Sequence, residues 1–239
     1  MTRERVRHAM DTDQTNTDFE DCWIAADGWA VLGIAGIATI ILTLISLPLG
    51  TFALGLMVWL RYSLRVPRRL SPDDPALVLA PADGVVVEIA AIAGDPGLSA
   101  GASFDEAAAP LVCRVTIKTS PADAQLQRSP VAGRVIDNFL IPGLFRGGEE
   151  LSLMRRDNER REISIETEDG ARFVLTQIGT ATARQLVCRF GPGKFLAAGA
   201  PLGMARVGGL AELVIPAGYK CEIETGKTVV AGETILARR

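Results

Sequence analysis

Residues Ala76 to Ala90 read ALVLAPADGVVVEIA. Two short runs rich in β-branched and aliphatic residues, Leu77–Leu79 and Gly84–Ile89, flank the triplet Ala82-Asp83-Gly84. Such runs favour extended backbone, and an Asp-Gly step favours a turn between them. The same alternation of short run and turn continues to the C-terminus. Further strands are expected at Leu111–Lys118, Gly133–Asn138, Glu162–Glu166, Arg172–Ile178, Gly203–Arg206, Leu210–Ile215, Glu222–Glu224 and Thr234–Ala237. Turn signals stand at Glu168-Asp169-Gly170, Pro216-Ala217-Gly218 and Ala231-Gly232-Glu233. One helix is expected, over Thr180–Arg189, with Ala183, Leu186 and Val187 on its apolar side. Residues 92–109, rich in Gly, Ala, Ser and Pro, read as a surface loop. The pattern predicts a mainly β (α+β) fold whose body is an antiparallel sandwich or barrel. The strand Leu210–Ile215 is entered through the pair Gly208-Gly209, where a close approach or an unusual backbone angle is expected.

Upstream of Leu77 the pattern is different. From Trp29 to Leu60 the chain carries no charged residue. Trp29 to Leu47 is about as long as a membrane helix requires, and Pro48 and Gly50 interrupt the run before it resumes. Two geometries fit: one span followed by an interfacial helix, or a helical hairpin turning at Pro48-Leu49-Gly50. Trp29 and Trp59 stand near the two ends, where indole rings suit a membrane interface. Arg61, Arg65, Arg68 and Arg69 follow at once, whereas Asp18, Glu20 and Asp21 precede. That asymmetry places the C-terminal body on the cytoplasmic side of a bacterial inner membrane and suits the arginines to anionic headgroups. The chain therefore divides into a polar tail (1–28), a membrane helix or helical hairpin (29–60), a basic linker (61–76) and a β domain (77–239). Residues 1–21 read as a disordered or loosely helical tail.

Composition removes several function classes. The net charge of the 239-residue chain is −3, and no basic stripe runs through the body, so nucleic acid is not an expected partner. The single histidine, His8, lies in the tail, so the body has no imidazole for acid–base work or metal ligation, and no metal site is expected. Cys22, Cys113, Cys188 and Cys221 show no CxxC spacing. The last three, in apolar or strand-like surroundings, read as free thiols of a reducing compartment.

Five segments occur in order: APADGVVV (Ala80 to Val87), QRSPVAGRV (Gln127 to Val135), DNER (Asp157 to Arg160), ARQLVC (Ala183 to Cys188) and TVVAGETILA (Thr228 to Ala237). With the apolar segment, and RVPRRLSP (Arg65 to Pro72) behind it, they resemble the short bacterial form of phosphatidylserine decarboxylase over roughly residues 24 to 239. The resemblance implies a membrane-attached β body and a place in phospholipid metabolism, with phosphatidylserine as the lipid acted on and phosphatidylethanolamine as the product. It also implies a proenzyme that cuts itself at a Gly-Ser bond and converts the serine into a pyruvoyl group. That carbonyl forms a Schiff base with the substrate amine and serves as electron sink for loss of CO2. An aspartate and a histidine support these steps.

Transferred position by position, the aspartate is Asp83. The histidine corresponds to Gln125, which exchanges hydrogen bonds but takes up no proton near neutral pH. The Gly-Ser pair corresponds to Gly208-Gly209. The chain contains no Gly-Ser dipeptide, and its last serine is Ser164. The nearest Thr and Cys residues, Cys188, Cys221 and Thr225, are remote in sequence from Gly209. A non-cleaving family member without the pyruvoyl cofactor is expected, with a lipid-binding or regulatory role; decarboxylation through non-standard residues is the alternative. Arg128 and Arg184 are candidates for holding a lipid phosphate. The expected partners are the phospholipid membrane, phosphatidylserine, and a second copy or an active decarboxylase. GKTVVAGETIL also resembles the closing hairpins of biotinyl and lipoyl carrier domains, but Lys220 lacks their hairpin-tip context.

Overall fold

The computed structural model describes residues 28–93, 111–148 and 150–239. The tail and most of the expected loop at 92–109 lie outside them; residues 92 and 93 belong to a strand. Two helices, α1 (Gly28–Ile45) and α2 (Leu47–Ser63), pack against each other as a hairpin. The break falls at Ser46, which is extended (φ −161°, ψ 127°) and precedes Pro48 in the first turn of α2. Proline is tolerated there because its missing N–H would have no helical partner. Gly50 is buried directly against Thr43, so the arms meet at a residue with no side chain.

Of the two geometries that fit the sequence, the structure shows the hairpin, and the single span from Trp29 to Leu47 is not seen. With 18 and 17 residues, the arms are only about 27 and 26 Å long at 1.5 Å per residue. Among the described residues no helix is long and apolar enough to cross a membrane.

The body is mainly β, as its alternating runs predict: a curled antiparallel sheet with two small ancillary sheets. In chain order the strands are β1 (Leu77–Leu79), β2 (Gly84–Ala93), β3 (Leu111–Thr119), β4 (Leu126–Arg128), β5 (Gly133–Ile141), β6 (Arg160–Glu166), β7 (Arg172–Ile178), β8 (Leu186–Cys188), β9 (Phe195–Leu196), β10 (Pro201–Ala205), β11 (Gly209–Ile215), β12 (Lys220–Cys221), β13 (Thr228–Val229) and β14 (Ile235–Arg238). The large sheet has the order β13-β2-β3-β11-β7-β6-β5-β9, and the small ones β1-β14-β12 and β4-β10-β8. Ala211, Leu213 and Ile215 of β11 point into the core beside Val115, Ile117, Phe173 and Leu175, all with no measurable exposure. Alternate residues of a strand face opposite ways, so Leu210 and Glu212 point outward. They too are buried, beneath the short helix α3 (Leu151–Asp157), whose Met154 packs on Leu210 and Ile178.

Three sequence expectations fail. Glu222–Glu224 carries no strand, the short strand there being β12, Lys220–Cys221. Thr180–Arg189 is not helical. Its C-terminal part is β8, which pairs Leu186 with Ala205, Val187 with Met204 and Cys188 with Gly203 of β10. A waiting strand edge overrides a weak local helix preference. Nor are all the body's cysteines free: Cys113 on β3 and Cys221 on β12 form a disulfide, and Cys188 is free. The pair is 108 residues apart in sequence, and only the folding of β12 beside the β3 end of the sheet brings the thiols together.

Helix α3 is held on the sheet by charge as well as by Met154. The Arg155 guanidinium donates to Glu212 Oε2 at 2.5 Å and Thr116 Oγ1 at 2.8 Å, and also to Glu88. Burial pushes the Glu88 carboxyl up, but the hydrogen bonds and charges of Arg155 and Arg114 outweigh it and hold it below the usual carboxylate range. A depressed carboxylate stabilises the fold above its unfolded pKa and loses that contribution as pH falls through the folded value. Acidification below about pH 4.3, the ordinary glutamate value, is expected to destabilise the protein in part through this group. Glu88→Gln should flatten that part of the pH–stability curve, as read by urea denaturation at stepped pH.

Candidate functional site

The entrance to β11 is conformationally unusual. Val207, Gly208 and Gly209 are successive residues with positive φ, at 66°, 92° and 120°. A β-branched residue in this region is a genuine outlier that its surroundings must enforce. Gly209 suits its place because its φ disfavours any L side chain. A β-carbon there would stand 3.3 Å from Ala183 Cβ and 3.4 Å from both Ala205 Cβ and the Ile178 carbonyl. A carbon there would be tightly held, and its neighbours would have to give by a few tenths of an ångström.

The four positions transferred from the family converge at this end of the sheet. Gly209 is in register with Thr119 at the end of β3. The Thr119 hydroxyl donates to the Asp83 carbonyl at 2.8 Å. Gln125, 2% exposed, accepts the Gly208 N–H on Oε1 at 2.5 Å. Its amide nitrogen donates to the Ser120 and Asp123 carbonyls at 3.0 and 2.7 Å. These bonds assign both ends of the amide: the oxygen faces the glycine pair and the nitrogen closes the Ser120–Gln125 loop. A backbone N–H that would otherwise be buried without a partner is thereby satisfied.

The Asp83 carboxylate is engaged elsewhere. It accepts the Ala231 N–H at 2.7 Å and forms an ion pair with Arg69 at 2.8 Å. It therefore fastens the turn before β14 and the basic linker to the connection between β1 and β2. Arg69 is a member of the locus that sequence reasoning left in a basic run; only its contact with Asp83 distinguishes it from its neighbours.

The two arginine candidates are not equivalent. Arg128 is 4% exposed and donates to the Gly199 and Pro67 carbonyls at 2.7 and 2.8 Å, fastening the linker to the body. Arg184 is exposed, in the turn before β8, with its guanidinium 5.8 Å from the Phe145 ring centroid. The segment Asp157-Asn158-Glu159-Arg160 leads from α3 into β6, with the buried Asn158 amide donating to the Arg146 and Gly179 carbonyls. Among the described residues no group of three or more His, Cys, Asp or Glu side chains could hold a metal.

The helical hairpin is seated beside this locus. Ser63 Oγ donates to the Pro121 carbonyl at 2.9 Å, and Leu64 packs on Met204 of β10. Pro121 itself lies near Gly208. The loop carrying Gln125 therefore lies between the base of the hairpin and the glycine pair.

A pyruvoyl group made from a serine does not fit these residues, because Gly209 supplies no hydroxyl. Removing the amide by Gln125→Ala should strand the Gly208 N–H and destabilise the protein by about 1–3 kcal/mol. Gly209→Ser places a side chain at φ 120° and should cost about 1–3 kcal/mol through strain. Chemical denaturation of each variant against the parent measures both.

The family model described as phosphatidylserine decarboxylase matches residues 56–237. A phosphatidylserine decarboxylase proenzyme of Beijerinckia indica subsp. indica is 35% identical over 216 residues, covering 90% of this chain and 89% of the relative. The proenzyme of Ruegeria pomeroyi is 33% identical over 213 residues, covering 88% and 93%. That of Mycobacterium bovis is 40% identical over 173 residues, covering 72% and 71%. With a match spanning the β body and relatives aligned along most of their length, the chain belongs to the phosphatidylserine decarboxylase family.

Proposed function

We propose that this chain is a membrane-associated member of the family that does not cleave itself and acts in phospholipid metabolism by binding lipid or regulating an active partner. The observation that carries the reading is the pair of replacements at one locus. Gly209 stands where the family's chemistry requires a hydroxyl, and Gln125 stands where it requires a group that exchanges a proton. The Gln125 oxygen is already committed to the Gly208 N–H. An amide so held neither removes a proton nor returns one at neutral pH.

Membrane association is supported by the hairpin surface. Ile34, Leu44, Phe52 and Leu47 are each at least 70% exposed, and many other aliphatic side chains of both arms are also exposed. An apolar surface that continuous is unstable in water and suits a bilayer. Arms too short to cross suit a hairpin inserted from one face, with the β body at the cytoplasmic surface of a bacterial inner membrane. The locus around Gln125 would then lie close to the headgroups, where phosphatidylserine is reached without leaving the bilayer. A second copy or an active decarboxylase is the protein partner the reading suggests.

Intact-mass measurement of the purified full chain tests the proposal. One species near 25.4 kDa is the expected result. Two fragments divided near Gly208, the smaller with a blocked N-terminus, would overturn it.

A further inference from the structure

The arginines behind the hairpin form one run in sequence but three kinds of site in space. Arg69 is paired with Asp83. Arg65 lies over the Tyr62 ring, 3.8 Å from its centroid, and donates to the Tyr62 carbonyl at 2.8 Å. Arg61 and Arg68 are exposed and have neither a hydrogen bond nor an ion pair among the described residues. A concavity of about 540 Å³ lies between them at the foot of the hairpin, with Val58, Tyr62 and Val66 on its apolar side and Arg65 beside them.

From this we infer that the foot of the hairpin is a binding site for the phosphate of an anionic phospholipid, gripped by Arg61 and Arg68, with the start of an acyl chain on Val58 and Val66. This assignment rests on the membrane association proposed above and concerns a place separate from the Gly208-Gly209 locus. Three observations support it. The two guanidinium groups leave their donors to a ligand, and guanidinium is the side chain best shaped for phosphate. No acidic side chain lines the concavity. The segment is also held before any ligand arrives: Ser63 is bonded to Pro121, Pro67 to the buried Arg128, and Arg69 to Asp83. A preformed site loses less freedom on binding than a mobile basic tail. Its apolar side is continuous with the exposed face of α2, so phosphate and acyl chain meet the protein in the order in which a bilayer presents them.

The experiment is flotation of the full chain with vesicles of phosphatidylcholine alone and of phosphatidylcholine mixed with phosphatidylglycerol. The parent should bind both, the mixed vesicles about tenfold or more tightly, since each interfacial arginine contributes about 1 kcal/mol. Arg61→Gln with Arg68→Gln should abolish that preference while leaving binding to neutral vesicles intact. Arg156→Gln with Lys227→Gln removes the same charge from exposed positions elsewhere and should preserve the preference. If the first pair keeps the preference, or the second loses it equally, attraction is diffuse and the site is overturned. If the parent ignores neutral vesicles, the hairpin reading fails, and the site is judged on dissolved dihexanoyl phosphatidylglycerol by calorimetry. Binding there that Arg61→Gln with Arg68→Gln removes upholds the site; no binding, or equal binding of inorganic phosphate, overturns it.

Discussion

Strand β11 is paired along its length with β3 on one side and β7 on the other. Its register places Gly209 opposite Thr119, and through the Thr119 hydroxyl next to Asp83. It also sets the parity of the strand, with Ala211, Leu213 and Ile215 inward and Leu210 and Glu212 outward under α3. A slip of one residue would turn Gly209 away from the Ala183 and Ala205 methyls and drive Leu210 and Glu212 into the core. Burial on both faces makes such a slip prohibitive, so the strained entrance Val207–Gly209 has no easy route to relax. The sheet enforces a backbone that those three residues would not adopt alone.

At that entrance residue identity and backbone geometry are matched. Glycine removes the hydroxyl and also tolerates the positive φ. Gln125 pairs a buried N–H with its oxygen and closes its own loop with its nitrogen. Both residues are fitted to their places, Gly209 by its positive φ and Gln125 by its hydrogen bonds. Asp83, the one family position retained as an acid, joins Arg69 and the Ala231 N–H in holding the linker and the last hairpin together. These structural contacts are enough to account for an acid at that position.

The hairpin is joined to this region through Ser63, Leu64 and the linker arginines, not by a free tether. Apolar side chains are exposed along both arms, and the Gln125 loop lies at their base. The foot of the hairpin and the Gln125 loop are therefore adjacent in space through Ser63 and Pro121.

Much of this was legible beforehand. Alternating apolar residues and turn triplets located most strands of the body, because burial on a sheet imposes a period of two on the sequence itself. The uncharged run Trp29–Leu60 announced apolar helices, and that Gly209 has no hydroxyl and Gln125 no imidazole are facts of residue identity. Other features were decided by residues remote in sequence. Leu186–Cys188 became a strand because β10 offered an edge. Cys113 and Cys221 met across 108 residues, and Arg69 and Arg128 were set apart from Arg61 and Arg68 by the carboxylate and carbonyls they reach. The hairpin prevailed over a single span through an extended Ser46 and a tight contact between Gly50 and Thr43. Local pattern determines which residues seek burial and which backbone they prefer; only the folded chain determines which partner satisfies each of them.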